Sequence, residues 1–419
     1  MLTNRCSRPP TAAAELNRYM HNKIMKIGFF FGSGLSLKAG YPSTNKITEC
    51  VISGKNVFRH TDGNYYFGQS PMAHTGFPEE YLSRILIFLN RVKVESDLYY
   101  FPFPDRATNY EDLYYICNQI NDSETFNYDN PIVQSFVDKI YPDIKSLFDK
   151  RRSEIKGTWN LLELTSEAMH YIVDIAWHSL NKDVKDINYL SFLKECYDKD
   201  IYTNIYIFTL NHDTLLEQYF SSNSISIQDG FSEPINDVRY WDQKLFSESK
   251  EKLSLIKLHG SVNWFRYNPE ENPRTVQIGI PLEWDFWHTK NPKGELQYPI
   301  DGRPMFLAGT FNKMLQYNYG IWYTLHRYFY EVLNNGMDLM IICGYSFSDK
   351  GINTRLIEWM DGNSQNRILV IHPDLYNLKV SARGAISRNW DNWKKDNRLI
   401  TIQNYIENID WDTIEKALL

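Results

Sequence analysis

The chain has 419 residues, of which 15% are aromatic and 23% charged, and a formal net charge of −6. A length beyond that of a usual single core calls for one elaborated domain or two, and an aromatic content of 29 Tyr and 11 Trp excludes general disorder. With no basic surplus the chain is not expected to be a general nucleic-acid binder, and no direct sequence-specific contact with nucleic acid is expected.

Residues 1–54 read as a polar arm with a short helix started after Pro10, then a buried type of strand, KIGFFF from Lys26. A helix from Ser43 to about Gly54 follows the Pro42-Ser43 start signal. Over residues 55–200 the segments EEYLSRILIFLNRV, NYEDLYYICNQI, PIVQSFVDKIYPDIKSLF and NLLELTSEAMHYIVDIAWHSL repeat apolar residues at three and four spacing. That pattern predicts amphipathic helices, hence a helical insertion of roughly a third of the chain. Over 201–419 strand-like runs return as NIYIFTL, LSLIKLHG, RPMFLAGT, LMIICGYS and RILVIHP, separated by helical stretches such as NYGIWYTLHRYFYEVLNNG. The alternation predicts an α/β, Rossmann-like parallel sheet with helices on both faces. The polar stretch from Pro269 to Pro299 predicts a long loop or hairpin region.

The five cysteines (Cys6, Cys50, Cys117, Cys196, Cys343) form no CxxC pair and are odd in number, which suits a reducing cytoplasm and argues against cysteine-bound zinc. The opening MLTNRCSRPPTAAAELNRYM lacks a signal block, and no run reaches the roughly 18 apolar residues of a membrane span. A cytoplasmic protein without a membrane segment is therefore expected.

Polar and glycine residues stand where several apolar runs stop, which in a parallel sheet is the edge where ligands bind. Gly32-Ser33-Gly34 follows the first strand. It reads as a pyrophosphate cradle or as an ordinary tight turn, and Leu37 stands where a dehydrogenase fingerprint places its third glycine. Ser36, Gly40, Pro42 and Ser43 lengthen that turn into a loop. Asn211-His212-Asp213 ends IYIFTL, as a helix cap or as a group that orients ribose, carboxamide and water. His259, ahead of Gly260-Ser261, reads as an acid or base, or as a structural histidine. Gly344, Ser346 and Asp349 close LMIIC, and His372 closes RILVI; both line an adenosine pocket or simply make turns. His170, Asp174 and His178 share a helix face with the spacing of metal ligands, and a buried or interface stripe is the favoured reading. No metal is expected.

Taken in order, these motifs resemble the sirtuin (silent information regulator) superfamily, and within it the zinc-free bacterial antiphage branch, including the sirtuin-like subunit of HerA-associated systems. GSGLSLKAGYPS resembles the family's GAGxSxxxGxP loop at Gly32, Gly34, Ser36, Gly40 and Pro42; FTLNHD resembles its Asn-x-Asp strand end, LHGS its His-Gly pair, and GYSFSD its Gly-x-Ser strand end. The resemblance covers the strand ends and leaves the insertion unmatched. It implies NAD as substrate, with Gly32, Ser33 and Gly34 at the phosphates, Asn211 and Asp213 beside the nicotinamide ribose and carboxamide, and His259 as the catalytic histidine. Two departures separate the chain from protein deacylases: it has no CxxC zinc ribbon, and the Asp-Phe-Arg after the loop proline is missing. The resemblance thus implies NAD hydrolysis to nicotinamide and ADP-ribose in a regulated antiphage effector, built as a homo-oligomer with a HerA-like ATPase or another sensor partner. A non-catalytic subunit that senses NAD or ADP-ribose is the alternative.

Overall fold

The computed structural model describes residues 25–68, 78–103, 106–127, 130–148, 160–184, 186–268, 276–283 and 286–418. The expected N-terminal arm and its helix lie outside the described residues, as do 269–275 and 284–285 of the polar stretch.

The run of apolar residues from Met25 forms strand β1 (Met25–Phe31), and Ser43 starts the next helix, Thr44–Ser53, by accepting from the amide of Lys46 at 3.3 Å. The insertion then opens on an antiparallel hairpin, β2 (Val57–Arg59) with β3 (Tyr65–Phe67), which helical periodicity does not predict. Among the described residues five α-helices follow: Pro78–Tyr100, Tyr110–Glu124, Pro131–Ile144, Leu161–Leu180 and Ser191–Tyr197. Two of them begin with reciprocal capping boxes, Asn109 with Asp112 and Asn160 with Glu163, so orphan amides at both helix starts are satisfied locally.

The second half supplies β4 (Tyr202–Thr209), β5 (Val238–Tyr240), β6 (Leu253–Lys257), β7 (Phe265–Tyr267), β8 (Gln277–Pro281), β9 (Thr289–Lys290) and β10 (Leu296–Gln297). It ends with β11 (Leu339–Cys343), β12 (Arg367–Ile371) and β13 (Leu399–Ile402). The polar stretch thus holds strand β8, which pairs between β5 and β7, and the small β9-β10 hairpin. One expected strand is corrected: among the described residues RPMFLAGT joins no sheet, and its backbone instead pairs with the turn after β6, through the Gly260–Phe306 bridge and the Leu307 amide donating to the His259 carbonyl at 2.8 Å. Pro304 cannot donate to a ladder, and the Arg303 guanidinium is held instead by Asp174 at 2.7 and 2.9 Å.

The main sheet is six-stranded and parallel, in the order β13-β12-β11-β1-β4-β6. Its strand order reverses between β1 and β11, from where the chain builds outward to β4 and β6 on one side and to β12 and β13 on the other, and this is the switch point of a doubly wound fold. Both faces are covered. Phe29 and Phe31 point into a core shared with the insertion and the C-terminal helix Trp411–Leu418, whereas Phe30 points into a second core with the helices Gly320–Asn334, Lys350–Gly362 and Ala385–Lys395.

Candidate active site at the switch point

Register sets the site. Phe31 pairs with Thr209 on one side and Cys343 on the other, Thr209 pairs with Lys257, and Cys343 with Ile371, so the strands end level and residues 32, 210, 258, 344 and 372 form one row. In that row the loops after β1 and β11 touch backbone to backbone. The Gly32 amide donates to the Cys343 carbonyl at 3.1 Å, and the Gly34 amide to the Gly344 carbonyl at 3.0 Å. A Cβ at Gly32 would lie 2.5 Å from the Gly344 oxygen, one at Gly34 2.7 Å from its Cα, and Gly344 itself has φ 66°. These glycines make a tight turn, and of them Gly32 and Gly344 line a cavity while Gly34 does not.

That cavity, of about 1700 Å3, opens over the switch point. Gly32, Ser33, Pro42, Asn211, Asp213, His259, Gly344, Ser346 and Asp349 all line it. Its opposite wall comes from the insertion, through Tyr99, Arg106, Tyr110 and Tyr115. The two walls are joined where the Lys313 ammonium meets the Glu111 carboxylate at 2.8 Å.

Asn211 does not act as a helix cap. Its Nδ2 donates to the Gly32 carbonyl at 3.1 Å and to Ser36 Oγ at 3.0 Å, which uses both amide hydrogens and leaves Oδ1 as an acceptor. Asp213 does serve the turn: its Oδ1 accepts from the Leu215 amide at 3.1 Å, ahead of helix Leu215–Ser222. Burial pushes its carboxyl above the usual range, opposed by the Lys257 ammonium and the Ser36 hydroxyl. Lys257, on the last residue of β6 and 4% exposed, donates to the Asp213 carbonyl and pairs with Glu217 at 2.8 Å. It braces the turn from behind.

His259 is 3% exposed. Burial holds its imidazole well below the ordinary range, reinforced by the Lys313 cation and by His212 and His326, so the ring is neutral near neutral pH. Its Nε2 lies 2.7 Å from the Tyr317 hydroxyl, which in turn donates to Asp349 Oδ2 at 2.6 Å. His212 packs its ring on Phe306, and burial likewise keeps it neutral.

Other expected site residues stand apart. Ser36 is buried behind the lining as a partner of Asn211, and Gly40, with φ 84°, is exposed and offers its carbonyl to Lys182. His372 is not among the lining residues. Its strand lies two places from β1, and its Nδ1 accepts from the Asp374 amide of its own turn at 3.0 Å. On the shared helix face, Asp174 is fully buried and takes Arg303 and the Tyr65 amide, His178 packs on Tyr66 and Trp177, and His170 is half exposed. Among the described residues no group of three His, Cys, Asp or Glu could hold a metal ion, and no helix is long and apolar enough to cross a membrane. Sequence reasoning missed Lys257, Glu217, Lys313 and Tyr317. A lysine inside the apolar run LSLIKL was the one available signal, because a charge ending a buried strand requires a partner.

Fold and site together define a doubly wound α/β protein with a large, partly open cavity of mixed polar and aromatic lining at its switch point. No protein-family model matches the chain, and no curated protein matches it. Among solved structures it is similar to a Sir2 homologue mutant in complex with 2′-O-acetyl ADP ribose, at 11% identity over 96% of this chain and 97% of that one, with a TM-score of 0.34. It is also similar to Sir2 with a p53 peptide and NAD+, at 11% identity over 97% and 98% of the two chains, TM-score 0.32. A further similar structure is a Sir2 homologue mutant with ADP ribose, at 10% identity over 96% and 95%, TM-score 0.35.

Proposed function

We propose that the chain binds NAD at the switch point and hydrolyses its nicotinamide-ribose bond to nicotinamide and ADP-ribose. The observation that carries this reading is convergence: Asn211, Asp213 and His259, from two different strand ends, face one cavity with the Gly32 loop, in the order of motifs that resembles the sirtuins. The cavity is larger than the roughly 300–1,000 Å3 of ordinary small-molecule pockets, as a dinucleotide requires.

In this reading the C1′–N1 bond breaks with its electron pair leaving on neutral nicotinamide, and a water oxygen bonds to C1′. Positioning and electrostatics carry most of the rate. The Asn211 Oδ1, fixed by the two bonds made from Nδ2, accepts from the water or a ribose hydroxyl. Asp213 engages the leaving carboxamide. The neutral His259 takes the proton released from the water or the ribose hydroxyl.

The proposal extends to biology: a regulated NAD-depleting effector in antiphage defence, assembled as a homo-oligomer with a HerA-like ATPase or another sensor. Its support is apolar surface on the insertion, where Tyr99, Phe101, Phe126 and Ile132 are 70%, 87%, 94% and 76% exposed. The test is free nicotinamide measured after incubation with NAD, with and without a candidate partner. His259→Ala and Asn211→Ala are expected to abolish release with the fold intact; release unchanged in both removes the site assignment, and NAD binding without release favours the sensing subunit.

A further inference from the structure

The site contains a hydrogen-bond chain that no sequence motif announces. Tyr317 follows the short helix Asn312–Gln316, and its ring stacks on His326 with centroids 3.7 Å apart. Its hydroxyl sits between His259 Nε2, at 2.7 Å, and Asp349 Oδ2, at 2.6 Å. Asp349 is fixed in turn, because its Oδ1 accepts from the Ile352 amide at 3.0 Å and starts helix Lys350–Gly362. Each carboxylate oxygen thus has a partner within the protein, so Asp349 is held in place independently of any ligand.

The hydrogens can be assigned. A phenol has a single hydrogen, and burial beside Asp349 holds the Tyr317 hydroxyl in its protonated form. A carboxylate only accepts, so that hydrogen goes to Asp349, and the short contact to the imidazole must be made by a hydrogen on Nε2. A neutral imidazole protonated at Nε2 carries its lone pair on Nδ1.

We propose that Tyr317 and Asp349 are positioning residues that lock His259 in its Nε2–H tautomer, so that Nδ1 is the nitrogen that receives the proton. The role of Nδ1 in proton transfer rests on the NAD-hydrolase reading; the tautomer does not. When Nδ1 takes the proton, the ring becomes an imidazolium whose Nε2–H points through the Tyr317 hydroxyl to the Asp349 carboxylate, whose opposite charge stabilises the new one. The logic is that of an acid orienting a catalytic imidazole, with a phenol interposed.

The test uses the full chain with 15N-labelled histidine. The His259 resonances are identified by their loss in His259→Asn, and nicotinamide release is measured in parallel. Wild type is expected to show a pyridine-like Nδ1 and a protonated Nε2. Tyr317→Phe is expected to lose that preference while the other histidine signals stay in place, and to lower kcat on the order of a hundredfold with little change in KM, the scale of lost acid-base function. Asp349→Asn, which keeps an acceptor oxygen, is expected to retain the tautomer that Asp349→Ala loses. A wild type that shows the expected tautomer but releases no nicotinamide upholds the hydrogen-bond chain and removes the hydrolase reading. An Nδ1–H ring in wild type, or Tyr317→Phe with tautomer and kcat both unchanged, overturns the proposal.

Discussion

Replacing Lys257 with Met tests how the Asn211–Asp213 turn is held. The ammonium is 4% exposed and pairs with Glu217, 23% exposed, while it also donates to the Asp213 carbonyl. Met fills the stem's volume but leaves Glu217 and Asp213 as two carboxyls with no cation between them. Orphaning one member of a buried pair costs about 3–5 kcal/mol, and the access of Glu217 to solvent puts this case near the lower end, about 3 kcal/mol. The loss should depend on pH. Burial already raises the folded-state pKa of Glu217 above its ordinary value, with Lys257 opposing the rise, so the variant raises it further. A raised carboxyl pKa means stability that is present below the unfolded value and lost as pH climbs through the folded one. Denaturant unfolding at pH 5 and pH 8 should therefore show the larger deficit at pH 8, and adding Glu217→Gln should recover much of it. A deficit below about 1 kcal/mol, or one equal at both pH values, would refute the argument that this pair braces the turn.

Gly32→Ala places a Cβ 2.5 Å from the Gly344 carbonyl oxygen, a backbone atom that cannot swing aside, so thermal unfolding should shift down by an amount equivalent to about 1–3 kcal/mol, and nicotinamide release should fall with it. Asp174 is held up at about 6 by burial against the pull of Arg303. Its contribution to stability is complete below its ordinary 3.8 and fades as pH rises through about 6, so Asp174→Asn should lack that slope in a stability-pH profile, whatever its absolute stability. Because His259 stays neutral under the combined effect of burial, Lys313, His212 and His326, with Asp349 3.6 Å away as an opposing charge, nicotinamide release should remain level as pH falls from 8 through the ordinary histidine range. A drop centred near 6.5 would contradict that electrostatic picture.

The sheet was legible because its strands announce themselves by composition: IYIFTL, LMIIC and RILVI are apolar throughout, as strands buried on both faces must be. Strand ends were legible for the same reason, since polar residues begin where burial stops. What could not be read was how the elements meet. RPMFLAGT has the apolar composition of a strand, yet it is held by the backbone of the His259–Trp264 turn and by Arg303 reaching Asp174, a contact 129 residues distant in sequence. Tyr317 sits in an ordinary polar stretch and gains its position from partners distant in sequence or on another element, Asp349 at the start of helix Lys350–Gly362 and the His326 ring it stacks on. The short hairpin β2-β3 was hidden because three-residue strands are too brief to show a period of two.

The insertion enters within one crossover, between helix Thr44–Ser53 and β4, and returns the chain to the strand beside β1. Closure entropy grows only logarithmically, about 0.6 kcal/mol for each doubling of a flexible segment, so a long excursion at this point strains the topology little more than a short one. The core around Phe29 and Phe31, which the insertion shares, and the Glu111–Lys313 contact nonetheless tie this wall of the cavity to the sheet, so a change in the insertion alters both who may enter and how firmly the floor beneath is held.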